Sequence, residues 1–161
     1  MTQTPVPIYE DLASEVEEFY QKISSQELDD FQPIRNCTQK LLEAVQKEGA
    51  DLFELACHPF EDKPMARHVV HAAILSVMLG QSLKLNPEKL LGLAETALLF
   101  DVGMTALRGK ELKDIRKHPE HGAKELTKFP DCPPEVLQAV AQHHERFDGS
   151  GYPKGLKEDQ I

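Results

Sequence analysis

The stretch RHVVHAAILSVMLG, residues 67–80, decides the fold class because it is apolar nearly all round. With its flanks, residues 66–83, it predicts a helix that is buried on most sides and lies at the centre of the fold. Elsewhere apolar residues also recur at helical spacing, and no segment alternates strictly between apolar and polar residues with β-branched enrichment. The sequence therefore predicts an all-α protein.

The segments before this helix are predicted to form a helical scaffold. Residues 8–28 and about 32–48 are amphipathic and rich in glutamate, and Gly49 is a plausible stop for the second helix. A short helical piece, DLFELAC at residues 51–57, leads into HPFEDKP at residues 58–64, where two prolines predict a loop.

Two helix boundaries are predicted after the central helix. Asn86 and Pro87 open the next helix, because Pro87 suits the first helical position. A final helix is predicted from residue 134 to about residue 146, where a run of turn-forming residues begins.

Composition limits the classes of protein to consider. The 161 residues suffice for one domain, and the 40% hydrophobic and 28% charged fractions predict a soluble protein with no apolar run long enough to span a membrane. The first residues lack the basic start and apolar core of a secretory signal, so a cytoplasmic location is the default expectation. A net charge of −9 argues against binding of long nucleic acids, but a small phosphorylated ligand remains possible.

The three cysteines are odd in number, are widely spaced and form no CxxC pair, so they are interpreted as reduced thiols: Cys37, Cys57 and Cys132. Cys57 beside His58 could be half of a zinc site, but no second pair at ligand spacing supports it.

Histidines and one aspartate form a series of candidate metal ligands. His68 and His71 lie one turn apart on the central helix, although hydrogen-bonded core histidines would fit the same pattern. Asp101 ends a stripe of core-facing positions in the following helix, where an ionised carboxylate needs a cation, a metal or several hydrogen bonds. Backbone N–H bonds near a chain reversal at Gly103 are the alternative explanation for Asp101.

Three more histidines extend the series. His118 precedes Pro119 and so lies at the start of a helix, whereas His121 next to Gly122 is expected at the surface. His143 and His144 continue apolar rows of the final helix and therefore lean toward the buried side, although solvated histidines at a helix end are the alternative.

The series and the motifs around it resemble the HD-GYP family, a subset of the HD metal-dependent phosphohydrolases. The matching pieces are RHVVHAAILSVMLG, ALLFDVGM at residues 97–104, KHPEHG at residues 117–122 and HHERFDGSGYPKGL at residues 143–156. The last piece is highly specific, and the resemblance covers most of the chain. It implies an HD-domain-like helical bundle, with a scaffold segment at residues 1–60 and an HD-GYP-like domain at residues 61–161.

The resemblance also implies a metal-dependent phosphodiesterase that hydrolyses cyclic di-GMP with bound iron or manganese. One metal position would use Asp101, His118, His143 and His144, with Asp101 as the catalytic, bridging carboxylate. The second position would use Asp101 and His68.

This sequence departs from the family pattern at two residues and at its end. Phe100 stands where the family has the histidine of the HD pair, and Met104 stands where it has a lysine thought to contact substrate phosphate. The chain is also expected to be a fragment, because the family continues beyond residue 161 with a helix that supplies a further aspartate. These departures predict an impaired site that holds about one metal per chain or less.

A non-catalytic signalling module, which keeps the fold to bind cyclic di-GMP or a GGDEF-domain protein, is therefore the alternative. By resemblance, the loop after the histidine pair would be its contact surface, with Tyr152 as an amphipathic anchor. A homodimer is a further possibility if apolar surface is left exposed. The residues of this predicted surface are Glu145, Arg146, Asp148, Gly149, Gly151, Tyr152 and Pro153.

Overall fold

The computed structural model describes residues 7–28, 30–57, 65–107 and 115–161. Within these ranges the chain forms α-helices and two short 3-10 helices, with no strand beyond one isolated bridge, so the predicted all-α fold is confirmed. The helices are α1 (Pro7–Ser25), α2 (Gln32–Cys57), α3 (Met65–Ser82), α4 (Pro87–Leu99), α5 (His118–Leu126) and α6 (Pro134–Gln142), and the 3-10 helices are Val102–Leu107 and Glu158–Gln160. The predicted division into a scaffold segment, residues 1–60, and an HD-GYP-like domain, residues 61–161, stays a prediction.

Helices α1 and α2 form the scaffold that the sequence predicts, with one difference in α2. The predicted break is confirmed in part, because Glu48, with a φ of −128° and a ψ of 26°, is not helical, but the helix resumes at once and α2 continues to Cys57. The kink joins the two predicted helical pieces into one element. Cys57 is an exposed free thiol at its end, and His58 lies outside the described residues.

Helix α3 is central, as predicted, because it packs against α1, α2 and α4. Its buried face includes Val70, Ile74 and Val77. The expectation that it is covered on most sides is wrong in part, since Leu79 is 60% exposed and Leu83, just past the helix end, is 65% exposed. An apolar pattern does not reveal which apolar residues other helices cover.

Helix α4 begins as the sequence predicts. The Asn86 side chain accepts a hydrogen bond from the Lys89 backbone N–H at 2.9 Å, and Pro87 occupies the first turn. Residues 87–107 are long and apolar enough to cross a membrane by length and composition, so the expectation that no such run exists is wrong. Half of this segment's apolar window is buried within the fold, where α4 packs against α2, α3 and α6.

A close backbone contact joins the end of the α4 region to α5. A Cβ atom added to Gly103 would lie 2.0 Å from the His118 carbonyl oxygen and 2.4 Å from the Gly122 backbone nitrogen. Real Cβ atoms do not approach backbone atoms this closely, so only glycine fits at position 103. The contact brings the residues beside Gly103 next to the start of α5.

The last helix is shorter than predicted. α6 ends at Gln142 instead of residue 146, and His143 is its C-terminal capping residue. His144 lies just beyond the helix, and its carbonyl oxygen accepts a hydrogen bond from the Tyr152 backbone N–H at 3.1 Å. The loop therefore folds back directly under the histidine pair.

Candidate metal centre

Four separate segments bring the five predicted ligands to one place. His68 lies in the first turn of α3, and Asp101 lies in the turn after α4. His118 is the first residue of α5, while His143 and His144 follow the end of α6. Helix ends, which hold these side chains in defined positions, thus supply every candidate ligand.

The Asp101 carboxylate divides its two oxygens between the two sides of this cluster. Oδ1 lies 3.1 Å from His118 Nε2 and 3.9 Å from His143 Nε2. Oδ2 faces the other way, 3.8 Å from His68 Nε2. A carboxylate placed in this way has one oxygen available to each of two neighbouring positions.

The imidazoles of His118, His143 and His144 form the core of the cluster. One donor atom from each ring lies within 4.8 Å of the donor atoms of the other two. His118 Nε2 and His143 Nε2 are the closest pair, at 2.9 Å. His118 is almost fully buried, whereas the side chain of His68 is 65% exposed.

Backbone carbonyl groups fix the orientation of two of these rings. His118 Nδ1 donates to the Ile115 carbonyl oxygen at 2.7 Å, and His143 Nδ1 donates to the Val140 carbonyl oxygen at 2.8 Å. Because a carbonyl oxygen only accepts, each Nδ1 carries a proton, and in the neutral form of either ring Nε2 presents a lone pair. Hydrogen bonds of this kind orient metal-ligating histidines in proteins.

Burial favours the neutral form of two of the rings. It lowers the pKa of His143 below its usual value, and the neighbouring imidazoles of His144 and His118 add to this effect, although the Val140 carbonyl group and Asp101 oppose it. The pKa of His144 is lowered by burial and by His118, against the opposing charge of Asp101. Neutral imidazole is the form that binds a metal.

Phe100 lies beside Asp101, between the two sides of the cluster. Its ring centroid is 5.8 Å from that of His68 and 5.3 Å from that of His143, edge-on in both cases. A phenyl ring offers no ligand atom. On the His68 side, the donors seen among the described residues are therefore His68 Nε2 and Asp101 Oδ2.

The other two histidines in the described ranges take no part in this cluster. His71 faces α1, where its Nε2 lies 2.8 Å from the Tyr9 hydroxyl oxygen. Its pKa is lowered, chiefly by burial and then by the neighbouring His68 and Arg67. His121, predicted at the surface, is partly exposed on α5.

The loop after the histidine pair is held by its own side chains. The two carboxylate oxygens of Glu145 accept from the backbone N–H groups of Lys154 at 2.7 Å and Leu156 at 3.0 Å. Asp148 Oδ1 accepts from the backbone N–H of Ser150 at 2.9 Å and from its hydroxyl at 2.6 Å. Glu145 and Asp148, both predicted to bind a partner, are thus also structural residues of the loop.

The other residues of the predicted contact surface differ in exposure. Gly151 has no room for a side chain, because an added Cβ would lie 2.4 Å from the Arg146 backbone nitrogen. Gly149 has a φ of +79°, which favours glycine, and a cis peptide bond joins Tyr152 to Pro153. Arg146 is exposed. A partner role for this surface stays a prediction.

Sequence reasoning missed two features of the site. Arg116 places its guanidinium carbon 4.7 Å from the centre of the Tyr152 ring, and the close contact between Gly103 and Gly122 aligns Asp101 with His118. Proximity of Arg116 to His118 in the sequence was the available signal for the first. The glycines were visible, but nothing in the sequence shows that they contact each other.

The sequence of this chain is similar to those of known proteins with an HD domain. The family model described as "HD domain" matches residues 8–161. The chain is 35% identical over 106 residues to cyclic di-GMP phosphodiesterase PA4108 of Pseudomonas aeruginosa, covering 58% of this chain and 25% of that protein. It is 33% identical over 105 residues to cyclic di-GMP phosphodiesterase PdeB of Borreliella burgdorferi, covering 58% of this chain and 27% of that protein. The chain thus spans about a quarter of the length of these relatives.

Among solved structures, the chain is similar to Bd1817, an HDG"Y"P protein from Bdellovibrio bacteriovorus. The TM-score is 0.78 at 24% identity, over 96% of this chain and 53% of the other. This similarity shows the helical fold.

Proposed function

Because this chain belongs to the HD domain family, we propose that it is a metal-dependent phosphodiesterase domain of HD-GYP type that acts on cyclic di-GMP. Its site would use Asp101, His118, His143 and His144 for one metal, with His68 on the second side of Asp101. Iron or manganese suits this mixed set of imidazole and carboxylate donors. HD domains bind divalent metals, and the histidine triad offers a suitable donor set.

The observation that carries the proposal is the pair of facing Nε2 atoms of His118 and His143. Both Nδ1 atoms donate to carbonyl oxygens, so in their neutral forms the two rings direct lone pairs at each other across 2.9 Å. Two lone pairs this close need a proton or a metal ion between or beside them. Burial lowers the pKa of His143 and disfavours the proton, which makes a metal ion the better-supported partner.

In such a site a bound metal ion would lower the pKa of a water molecule and bind phosphate oxygens. Asp101 would contribute negative charge to both metal positions through its separate oxygens. The backbone carbonyl groups of Ile115 and Val140 would hold two imidazoles in the ligating orientation. The protein's own contribution is thus a set of ligands oriented before any metal binds.

Phe100 supports a phosphodiesterase with a reduced rate of hydrolysis. It also supports a second candidate function, a non-catalytic module that binds cyclic di-GMP or a GGDEF-domain protein. The second metal position has His68 and Asp101 as its donors among the described residues, and His68 is mostly exposed to solvent. We expect about one tightly held metal per chain, because water would have to supply the remaining ligands there.

Metal analysis combined with a hydrolysis assay separates the two candidates. Purified protein, loaded with manganese or iron under reducing conditions, is assayed for metal content and for conversion of cyclic di-GMP. Turnover supports the phosphodiesterase, whereas binding of cyclic di-GMP without turnover supports the module. Protein that retains no metal, and whose melting temperature does not respond to either ion, would contradict both.

The variant Phe100→His tests the reason for impairment. We expect the metal content per chain to rise above that of the parent protein, because an imidazole next to Asp101 adds a ligand to the second position. Phe100→Leu, which adds no ligand, is the control. An unchanged metal content in Phe100→His would mean that this residue does not limit the second position.

A further inference from the structure

A column of three side chains stands at the edge of the candidate metal centre. The ring of Tyr152 stacks on the imidazole of His144, with centroids 4.5 Å apart and planes 19° from parallel. On the Tyr152 ring lies Arg116, whose guanidinium carbon is 4.7 Å from the ring centre. The column connects a charged, solvent-accessible group to a candidate ligand through one aromatic ring.

The position of Arg116 is fixed by more than this ring. Arg116 lies two residues before His118, which is buried and begins α5. A guanidinium held over an aromatic face loses little further freedom when it binds a ligand. The guanidinium group of Arg116 is therefore partly ordered before any ligand binds.

The charge of Arg116 is not neutralised by a neighbouring acid within the described ranges. No carboxylate of the described residues lies within 4.0 Å of its guanidinium group, and its contact is with the face of the Tyr152 ring. A contact through the ring face leaves the N–H donors at the guanidinium edge available. A planar fork of N–H donors matches the oxygens of a phosphate group.

We propose that Arg116 is a phosphate-binding residue of this site, held in place by Tyr152, and that it binds a non-bridging oxygen of the phosphodiester. The inference rests on the proposed function and adds a specific contact to it. It assigns to Arg116 a role in substrate affinity, whereas the histidines and Asp101 are assigned to the metal. The two roles can therefore be separated by experiment.

Substitution of Arg116 tests the proposal in the manganese-loaded protein. Arg116→Ala should weaken the binding of cyclic di-GMP at least about tenfold, because a hydrogen bond to a charged group is lost. The affinity of Arg116→Lys should lie between those of the parent protein and Arg116→Ala, since lysine keeps the positive charge but lacks the planar set of N–H donors. Lys124→Ala is the matched control, because it removes one exposed positive charge from α5, the helix that follows Arg116, and should change affinity less than about twofold.

Two further measurements distinguish a binding role from a structural one. The metal content and melting temperature of Arg116→Ala should equal those of the parent protein. The dependence of affinity on salt concentration should be weaker in Arg116→Ala, because one charge–charge contact is absent. Where there is turnover, KM should rise more than kcat falls.

A simple diester, bis(p-nitrophenyl) phosphate, serves as a second probe, so that failure of the inference differs from failure of the proposed function. If the parent protein binds either diester and Arg116→Ala binds it equally well, the inference is wrong and the proposed function stands. Equal weakening by Lys124→Ala would also overturn it, as the effect would be one of general charge. If the parent protein binds neither diester, the proposed function and the inference both fail.

Discussion

Gly103 supplies no ligand, yet its missing side chain lets Asp101 and His118 approach each other. The backbone on either side of the contact belongs to the turn after α4 and to α5. An added methyl group would meet backbone atoms, which cannot rotate away as a flexible side chain can. At the scale of single residues, the geometry of the site thus depends on positions that bind nothing.

Gly103→Ala should therefore move Asp101 away from His118. We expect the free energy of unfolding to fall by about 1–3 kcal/mol or more, and the affinity for manganese to fall as Asp101 moves away from His118. Urea denaturation and metal titration measure the two effects. Gly92→Ala is the control, because no atom lies within 4 Å of its added Cβ and helix α4 should gain about 0.5–1 kcal/mol. Equal effects of the two substitutions would contradict the proposed role of the contact.

A second residue-scale prediction concerns a ligand itself. His144→Ala should weaken metal binding by more than about 100-fold, because loss of a partner that merely orients a ligand already costs about 10–100-fold. Metal content after dialysis against a chelator measures the change. His121→Ala, on α5 outside the cluster, should retain the metal of the parent protein. A His144→Ala protein with full metal content would remove this histidine from the proposed site.

At the scale of elements, the loop after α6 is tied to the histidine pair by one carboxylate. Glu145 follows His144 directly, and its two oxygens accept the backbone N–H groups of Lys154 and Leu156. A single side chain therefore closes a loop of ten residues beneath Tyr152, the ring that stacks on His144. The order of this loop and the position of His144 should change together.

Glu145→Gln should loosen this loop, since it replaces one of the two accepting oxygens with an NH2 group, which cannot accept from a backbone N–H. The amide protons of Lys154 and Leu156 should exchange with solvent at least about tenfold faster, because bonds to a charged acceptor contribute about 1.5–3 kcal/mol each. Hydrogen-exchange NMR measures this residue by residue. Glu125→Gln, which alters the ion pair between Glu125 on α5 and Lys128 just beyond that helix, is the control and should leave both rates unchanged. Unchanged exchange in Glu145→Gln would mean that other contacts hold the loop.

Sequence patterns predicted which helices form better than they predicted where each helix ends and which neighbours it packs against. The start of α4 was predictable because Asn86 and Pro87 act locally. The interruption of α2 at Glu48 was predictable too, because Gly49 disfavours a continuous helix. The early end of α6 was not, because an apolar pattern continues through it and tertiary packing decides the backbone angles there. The exposure of Leu79 was missed for a similar reason, since a pattern cannot show which neighbours are present.

Some features of the candidate site could likewise be predicted from the sequence, and others could not. Residue types and motifs predict five ligand candidates, and the fold brings them together around Asp101. The contact of Arg116 with Tyr152 joins residues 36 positions apart in the sequence, and no local rule predicts such a contact. The choice of candidate residues was thus possible from the sequence, whereas the contacts between distant neighbours required the structure.

At the scale of the whole molecule, a buried acid connects helices α2 and α4. Glu95 is 2% exposed and forms an ion pair with Arg35, with Nε to Oε1 at 4.0 Å. Burial raises the pKa of Glu95; Arg35 opposes this effect, and the charge of Glu135 adds to it. Cys132 also lies close enough for its own pKa to be raised in part by Glu95, although burial is the larger cause.

This burial gives stability a defined dependence on pH. The folded pKa of Glu95 lies above its unfolded value, so the folded protein keeps the proton that the unfolded chain releases first. The contribution of Glu95 to stability is therefore fully present below the unfolded pKa and is lost as pH rises through the folded pKa. Glu95→Gln cannot lose a proton, so its melting temperature relative to the parent protein should increase steadily from acidic to neutral pH. A difference that stays constant or shrinks over this range would contradict the assignment.

The hydrogen bonds from His118 and His143 to backbone carbonyl groups have a practical consequence for following the site in solution. Because His118 is buried and its Nδ1 proton is engaged, that proton should exchange slowly enough to give its own NMR signal. Nitrogen-15 shifts of the two rings would then report separately on the protonated Nδ1 and the unprotonated Nε2. Metal loading could be watched at the imidazoles themselves, without substrate and without any substitution.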